Sequence, residues 1–302
     1  MPMNFARTAL LLLLLMALFV AVGAALGGQT GLLIAFFAAL GLNIYALWKS
    51  DTIVLKMHKA VRLDRASGGR YYTIFEEMAP RAELPMPKVY VLDSEQPNAF
   101  AAGRNPQNAA VAVSTGLLSR LDEREAAGVV AHELAHIRNR DTITMATAAT
   151  IGGAVTMVAQ YLQIGALFGR RASGPSGPAF LFAALIAPVS AILIQMAISR
   201  SREYQADRLG AMICGNPLWL ASALGKNGAV ARQTRNSTAE AHPASAHLFI
   251  VNPLTGRRAD FLFSTHPRIE NRVAELEALA REMAAAGPLP QVLGWSGHRL
   301  MR

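Results

Sequence analysis

The residues with the clearest chemical potential lie in AHELAH, residues 131–136. Residues four apart on an α-helix share one face, so His132 and His136 can hold the same metal ion through their imidazoles. Glu133 lies between them, where its carboxylate can act as a general base on a water molecule. Zinc is the usual ion of this pattern, and catalytic zinc requires a third protein ligand. We therefore predict one Zn²⁺ per chain, with Glu133 as the catalytic residue.

The candidate for the third ligand is Glu203, in SRSREYQAD, residues 199–207. Glu203 and Asp207 are four residues apart, so they share a face of a helix expected over about 200–212. Glu203 would bind the ion, and Asp207 would accept a hydrogen bond from the far nitrogen of a ligand histidine. The alternative is a solvated helix whose acidic residues pair with neighbouring arginines. Spacing alone does not decide between the two interpretations.

Long segments without charged residues indicate an integral membrane protein. About 20 apolar residues, each rising ~1.5 Å, cross a hydrocarbon core of ~30 Å. The uncharged segments predict membrane helices over 8–27, 31–48, 142–168 and 178–199, with a turn at 28–30. For the first helix the alternative is a cleaved signal peptide. For the second pair the alternative is buried helices of a soluble protein.

Basic residues flank these segments mainly on one side, at Lys49, Lys56 and Arg200 among others. Because positive residues concentrate on the cytoplasmic side, we expect both termini and the polar domain to be cytoplasmic. Arg170 and Arg171 oppose this orientation. The net charge of +9 therefore fits contact with anionic lipid rather than nucleic acid, which we do not expect as a partner.

The remaining polar segments should form a domain with a small sheet. Short apolar runs predict strands over 88–92, 98–103 and 109–114. A helix should begin near Asp122, with Glu125 as its capping-box partner. The complete division is a hairpin at 1–48, catalytic segments at 49–141 and 200–285 around a second hairpin at 142–199, and a tail at 286–302. The stretch after the 200–212 helix should be irregular up to a helix over 267–285.

Several residue types are expected to take no part in the chemistry. The single cysteine, Cys214, cannot form an intrachain disulfide. The histidines outside the motifs lie in polar stretches without ligand spacing and are expected at the surface. These are His58, His242, His247 and His298.

HELAHIRNRD, an apolar hairpin and SREYQAD follow one another in an order that resembles the HtpX family of membrane zinc metalloproteases. Relatives of that family include the CaaX prenyl proteases and mitochondrial Oma-type proteases. The resemblance implies an α-rich integral membrane protein with about four transmembrane helices and a zincin-like α+β metalloprotease domain. It also implies that His132, His136 and Glu203 are the zinc ligands.

The resemblance extends to NAFAAG and to THP near the end of the chain. It implies that Asn98, Phe100 and Ala101 belong to an edge strand on which a peptide substrate lies, although an ordinary surface hairpin is the alternative. It further implies that His266 stabilises the transition state, although a helix-capping role is equally open. The chain departs from the family at Ala102, where Thr is expected, and at Arg268, where Pro is common.

The expected activity is therefore that of a zinc endopeptidase in a bacterial inner membrane. Its substrates would be membrane proteins or unfolded polypeptides cut near the cytoplasmic face, in protein quality control under stress, with self-cleavage. One alternative is processing of CaaX prenyl proteins, but four spans cannot enclose a comparable chamber. The other is a non-catalytic zinc scaffold, which would not need Glu133.

Overall fold

The computed structural model describes residues 2–150, 152, 200–231, 233–254 and 267–285. In this part of the chain a four-stranded sheet lies between two groups of helices. The helices are α1 (Pro2–Met57), α2 (Arg65–Arg81), α3 (Thr115–Leu118), α4 (Glu123–Arg138), α5 (Arg200–Cys214), α6 (Pro217–Ala231), α7 (Ser237–Ala241) and α8 (Ile269–Ala285). The strands are β1 (Val61–Leu63), β2 (Lys88–Leu92), β3 (Ala99–Gly103) and β4 (Ala109–Ser114). Residues 141–150 are also helical.

The N-terminal helix α1 folds back on itself as a hairpin. Its backbone leaves the helical conformation at Gly27 (φ −135°, ψ 16°) and at Gly28 (φ 56°, ψ −140°). Glycine adopts the positive φ at little cost because it has no Cβ. Across the hairpin, Asn43 Nδ2 donates to the carbonyl of Leu12 at 3.3 Å. The two halves therefore run antiparallel, and the chain reverses one residue earlier than the predicted turn at 28–30.

Among the described helices, Gly27–Met57 is the one long and apolar enough to cross a membrane, with a mean hydropathy of 1.9. Only 17% of its most apolar window is buried, whereas a core helix of a soluble protein is mostly buried. Four spans are therefore not confirmed. The first predicted span is helical, and most of the second pair lies outside the described residues. The exposed large apolar side chains of this helix are Leu33, Ile34, Phe36, Phe37, Ile44, Tyr45 and Trp48.

The sheet has the strand order β1-β2-β4-β3, so β3 lies at an edge. β2 and β4 are parallel, and the two outer strands are antiparallel to their neighbours. The predicted strands are present, although the one expected at 98–103 begins at Ala99. Successive side chains of a strand point to opposite faces, so Phe100 and Ala101 face different sides of the sheet.

The two faces of the sheet pack against different helices. Val89 and Val111 pack in the core that includes α2, α4, α5 and α6. Phe100, on the other face, packs in a second core with Val54 of α1 and Met145 of the 141–150 helix. Complete burial of a side chain such as Phe100 stabilises the fold by roughly 1.5–3 kcal/mol. The base of the apolar hairpin therefore packs directly on the sheet.

Two of the longer helices were not expected from the sequence. The stretch predicted to be irregular contains α6, whose Leu220 and Leu224 are fully buried four residues apart. Its glycines lower the intrinsic helix propensity, and tertiary burial overrides this effect. Helix α2 also has unfavourable local signals, including Gly69 at φ 49°, but it is fixed at its start by a capping box between Asp64 and Ser67.

The expectation that the remaining histidines lie at the surface is wrong for two of them. His58 is 6% exposed and its Nε2 lies 2.8 Å from Ser245 Oγ, while His247 Nε2 donates to the Met145 carbonyl at 2.9 Å. These contacts bring the segment around 245–247 against the ends of both apolar segments. Because polar residues surround each histidine in the sequence, no local pattern indicated that the side chain is buried by distant segments. His298 lies outside the described residues.

Gly210 sets the distance between α4 and α5. A Cβ at this position would lie 2.9 Å from the backbone nitrogen and Cα of His132, closer than real side chains approach backbone atoms. We expect Gly210→Val to force the helices apart, to destabilise the protein by about 1–3 kcal/mol, and to lower its zinc content. Thermal unfolding and metal analysis of the purified protein measure both effects.

The control is Gly225→Ala on the exposed side of α6, where an added Cβ meets nothing within 4 Å. This change should stabilise the helix by about 0.5–1 kcal/mol and leave the zinc content unaltered. Equal behaviour of the two variants would contradict the role given to Gly210.

Candidate metal centre

Helix α4 carries the two histidines and the glutamate of the first motif. Asp122 caps its first turn and forms the predicted capping box with Glu125, which fixes where the helix begins. His132 and His136 follow on one face, and their Nε2 atoms lie 3.2 Å apart. Both imidazoles are almost completely buried. The arrangement expected from the spacing is therefore present.

Helix α5 brings Glu203 to the same point. Its Oε2 lies 3.8 Å from His132 Nε2, and its Oε1 lies 3.7 Å from His136 Nε2. Donors ~2.0–2.1 Å from a tetrahedral zinc ion are separated from one another by about 3.3 Å. The three side chains offer donor atoms that all lie within 4.8 Å of one another. Two imidazoles and a carboxylate at these separations fit a single zinc ion.

Each histidine has a carboxylate on the nitrogen that faces away from this point. Asp207 Oδ1 lies 3.0 Å from His132 Nδ1, and Asp141 Oδ2 lies 3.2 Å from His136 Nδ1. These carboxylates fix the ring orientations and hold the proton on Nδ1, which leaves Nε2 available for a metal ion. Asp207 was predicted in this position.

Sequence reasoning missed Asp141. It follows His136 by five residues and lies beyond the end of α4, so helical spacing does not relate the two. Arg140 adopts a left-handed conformation (φ 59°) that turns the chain and brings Asp141 back to the imidazole. The available indication in the sequence was that Asp141 is the acidic residue at the end of HELAHIRNRD.

Sequence reasoning also missed Arg272, on α8. Its guanidinium donates to both carboxylate oxygens of Asp207, at 2.8 and 2.6 Å. It also lies 3.5 Å from Glu203 Oε2 and 3.4 Å from His132 Nε2. Although only 1% exposed, Arg272 belongs to a helix rich in charged residues, where an arginine is usually solvated. No local pattern separates it from the exposed charges of the same helix.

Comparison with known proteins decides the family. The model of "Peptidase family M48" matches residues 67–280, which includes α4, α5 and most of α8. The chain belongs to peptidase family M48. M48 peptidases are metalloproteases, so the relationship inferred from the motifs is confirmed at the family level.

A solved structure, that of Ste24p from S. mikatae, is similar to this M48 chain at 18% sequence identity and a TM-score of 0.47. The similarity covers 91% of this chain and 64% of the other. The chain therefore spans less than two thirds of the length of that protein.

Burial dominates the electrostatics of the M48 site. It raises the pKa of Glu133 to about 7, with a contribution from the nearby Glu203 carboxylate. It also lowers the pKa of His132 to about 4, which keeps this imidazole neutral. For His136, burial opposes the charged form, but the hydrogen bond to Asp141 and the charge of Glu203 together raise the pKa to about 9.

The residues predicted to form the substrate cleft have different surroundings. The backbone N–H of Ala101 is directed at the Glu133 carboxylate, so this residue lies at the candidate metal site. The Phe100 side chain instead packs in the second core, 5.3 Å from the Phe249 ring centroid. The Asn98 side chain binds the backbone of Val251. His266 lies outside the described residues.

Asp141 should support metal binding through His136. The change Asp141→Asn removes the negative charge that holds the imidazole, so we expect zinc affinity to fall by roughly 10–100-fold. Competition with a chromogenic chelator measures this affinity. Asp93→Asn, at an exposed position, is the matched control and should leave the affinity unchanged. A zinc affinity of Asp141→Asn equal to that of the wild type would show that Asp141 does not support His136.

The raised pKa of Glu133 gives the metal-free protein a defined pH dependence. In the folded state Glu133 keeps its proton up to about pH 7, while the unfolded chain loses it near the ordinary glutamate pKa of 4.5. Between these values the unfolded state binds fewer protons, so the contribution of Glu133 to stability falls as the pH rises.

We therefore expect Glu133→Gln to unfold at a higher temperature than the wild type at pH 8 in the presence of a chelator. The advantage should be of the order of 3 kcal/mol and should disappear near pH 4.5. Thermal unfolding at the two pH values measures it. An advantage that was the same at both would rule out a raised pKa.

Proposed function

We propose that this chain is a membrane-embedded zinc endopeptidase with His132, His136 and Glu203 as zinc ligands and Glu133 as the catalytic residue. The observation that carries the proposal is the convergence of the three donor side chains within 4.8 Å, beside a buried glutamate, in a chain of family M48. A structural zinc site would not require Glu133, which is not a member of the donor set. A scaffold role is therefore less well supported than catalysis.

Zinc held by these residues would supply Lewis acidity to the scissile carbonyl and would make a water molecule more acidic. Glu133 accepts the proton of the attacking water and later donates a proton to the leaving amine. Burial raises the pKa of Glu133 in the metal-free protein, and a carboxyl with a raised pKa suits both steps. The Ala101 N–H faces the Glu133 carboxylate and favours its ionised form. Asp207 and Asp141 keep the ligand imidazoles oriented.

The course of the chain supports a location of the site beside the membrane. The helical segment that begins at Asp141 enters the second apolar stretch only a few residues after His136. Only seven residues separate His136 from Ile143, and the turn at Arg140 lies between them. The proposed zinc site would then lie within about one helix diameter of the lipid.

A contact at the other apolar segment supports this placement. The guanidinium of Arg104, in the loop after β3, lies 4.6 Å from the centroid of the exposed Trp48 ring. Tryptophan and arginine are common where a membrane helix meets the aqueous phase. The end of β3 beside Arg104 would therefore face the membrane surface.

The proposed substrates are membrane proteins and unfolded polypeptides cut near the cytoplasmic face of a bacterial inner membrane. The distribution of basic residues supports the cytoplasmic orientation of both termini. A role in protein quality control, with self-cleavage, agrees with the resemblance to the HtpX family. Recognition of peptide backbone at β3 would suit substrates of diverse sequence.

The test is Glu133→Gln in the purified full-length protein. The variant should bind zinc in the same one-to-one ratio as the wild type, and its cleavage of unfolded casein should fall by roughly 10²–10⁴-fold because the general base is lost. Metal analysis and a peptide-release assay measure the two properties. Glu83→Gln, whose carboxylate is 76% exposed, is the control and should retain activity.

The same inactive variant should retain substrates in native membranes, where co-purification followed by mass spectrometry identifies them. Recovery of membrane proteins and unfolded chains would support quality control. Preferential cleavage of a prenylated CaaX peptide by the wild type would favour prenyl-protein processing instead. Absence of both zinc and peptidase activity from the wild-type protein would refute the proposed function.

A further inference from the structure

The outer edge of β3 is already paired at one end by the chain itself. The Ile250 N–H donates to the Ala99 carbonyl at 2.9 Å. The side-chain amide of Asn98 pairs with both backbone groups of Val251, donating to its carbonyl at 2.8 Å and accepting from its N–H at 3.2 Å. Residues 250–251 thus occupy the edge as a very short added strand. An incoming peptide cannot pair with the same groups.

The next outward-facing residue of β3 lies at the metal site. The Ala101 N–H points to Glu133, and the N–H and C=O of one residue in an antiparallel strand point to the same side. Ala101 is two residues from Ala99, or about 7 Å along the strand. The outward backbone groups of Ala101, beside Glu133, are therefore two residues along β3 from the Ala99 carbonyl that Ile250 occupies.

Residues 250–251 are fixed rather than loosely placed. Asn98, Ile250 and Val251 are each 4% exposed or less. The Ile250 carbonyl accepts from Arg272 Nη1 at 3.0 Å, and the same guanidinium is paired with Asp207. Displacement of the segment would therefore break a buried network that extends to the metal ligands. Buried polar groups that lose their hydrogen-bond partners lower the stability of the folded protein.

The opposite end of the edge is held differently. The Gly103 carbonyl accepts a hydrogen bond from the Thr142 hydroxyl at 2.9 Å. This is a single contact from a rotatable side-chain O–H, and no second strand is paired there among the described residues. A peptide N–H could replace the hydroxyl without displacing a segment of backbone. The two ends of the edge are thus unequal as sites for strand addition.

We propose that residues 250–251 form a wall that closes one end of the peptide-binding edge, so that substrate backbone is recognised on only one side of the scissile bond. The proposal rests on the proposed peptidase function and adds a limit to its specificity. Asn98 is then a positioning residue that holds the wall through Val251. A substrate strand pairs with the Ala101 carbonyl and with Gly103, because the Ala101 N–H is directed at Glu133, and it cannot extend along β3 past Ala99.

The experiment is a backbone scan of one cleaved casein-derived peptide with the wild-type full-length enzyme. Single N-methylated residues, each lacking one peptide N–H donor, are placed at successive positions on both sides of the scissile bond. We expect kcat/KM to fall by roughly 10-fold at a paired position on one side, as for one lost hydrogen bond. Beyond the first residue on the other side, the change should stay below about 2-fold. Losses of similar size on both sides would overturn the proposal.

The variant Asn98→Ala removes both contacts to Val251 and should loosen the wall. In this variant, N-methylation on the previously insensitive side should begin to lower kcat/KM, which a merely structural destabilisation would not produce. Gln107→Ala, an exposed amide in the loop after β3, is the control and should retain the one-sided profile. A folded, zinc-containing Asn98→Ala enzyme with an unchanged profile would contradict the role of Asn98.

If the variant fails to fold, the wild-type scan alone decides whether recognition is one-sided. Failure of the peptidase proposal is distinguishable, because the wild type would then cleave no peptide in any zinc-dependent manner. Cleavage with a symmetric profile would refute only the wall.

Discussion

Among the described residues, four carboxylates are buried around the candidate metal centre, and their need for compensating positive charge constrains the rest of the structure. Glu133, Asp141, Glu203 and Asp207 are each 3% exposed or less. An ionised carboxylate costs several kcal/mol to bury unless it is paired and hydrogen-bonded. Arg272 pairs with Asp207, His136 pairs with Asp141, and the Ala101 N–H is directed at Glu133. A divalent ion at the proposed site would supply further positive charge, so metal binding and folding should be coupled.

This constraint explains why the helices that carry the site pack so closely. Gly210 allows the backbone of α5 to contact that of α4 at His132, which brings Glu203 within reach of the imidazoles. Helix α8 contributes Arg272 from far along the chain, and α6 packs between α8 and α4. The helices around the site therefore either carry a charged side chain or allow the charged side chains to approach one another.

The sheet joins this charged centre to the apolar hairpin. On β3, Ala101 contacts Glu133, while its neighbour Phe100 packs with Val54 of α1 and Met145 of the 141–150 helix. One strand therefore contacts the candidate metal site on one side and the bases of the apolar segments on the other. A peptidase built in this way would keep its site at a fixed height above the lipid. Backbone recognition at the same strand would leave side-chain sequence largely unspecified.

The sequence alone determined the parts of this protein that depend on short-range spacing. The histidine pair with Glu133, the capping box of α4, the β2 and β4 strands and the acidic face of α5 all follow local periodicity, and all are present. Only the tertiary structure decided which distant residues meet. Asp141 requires a left-handed turn, Arg272 requires the burial of one face of α8, and Asn98 requires pairing with Val251 more than 150 residues away. Local sequence encodes helix faces and strand alternation, whereas these contacts depend on packing between elements that no local pattern specifies.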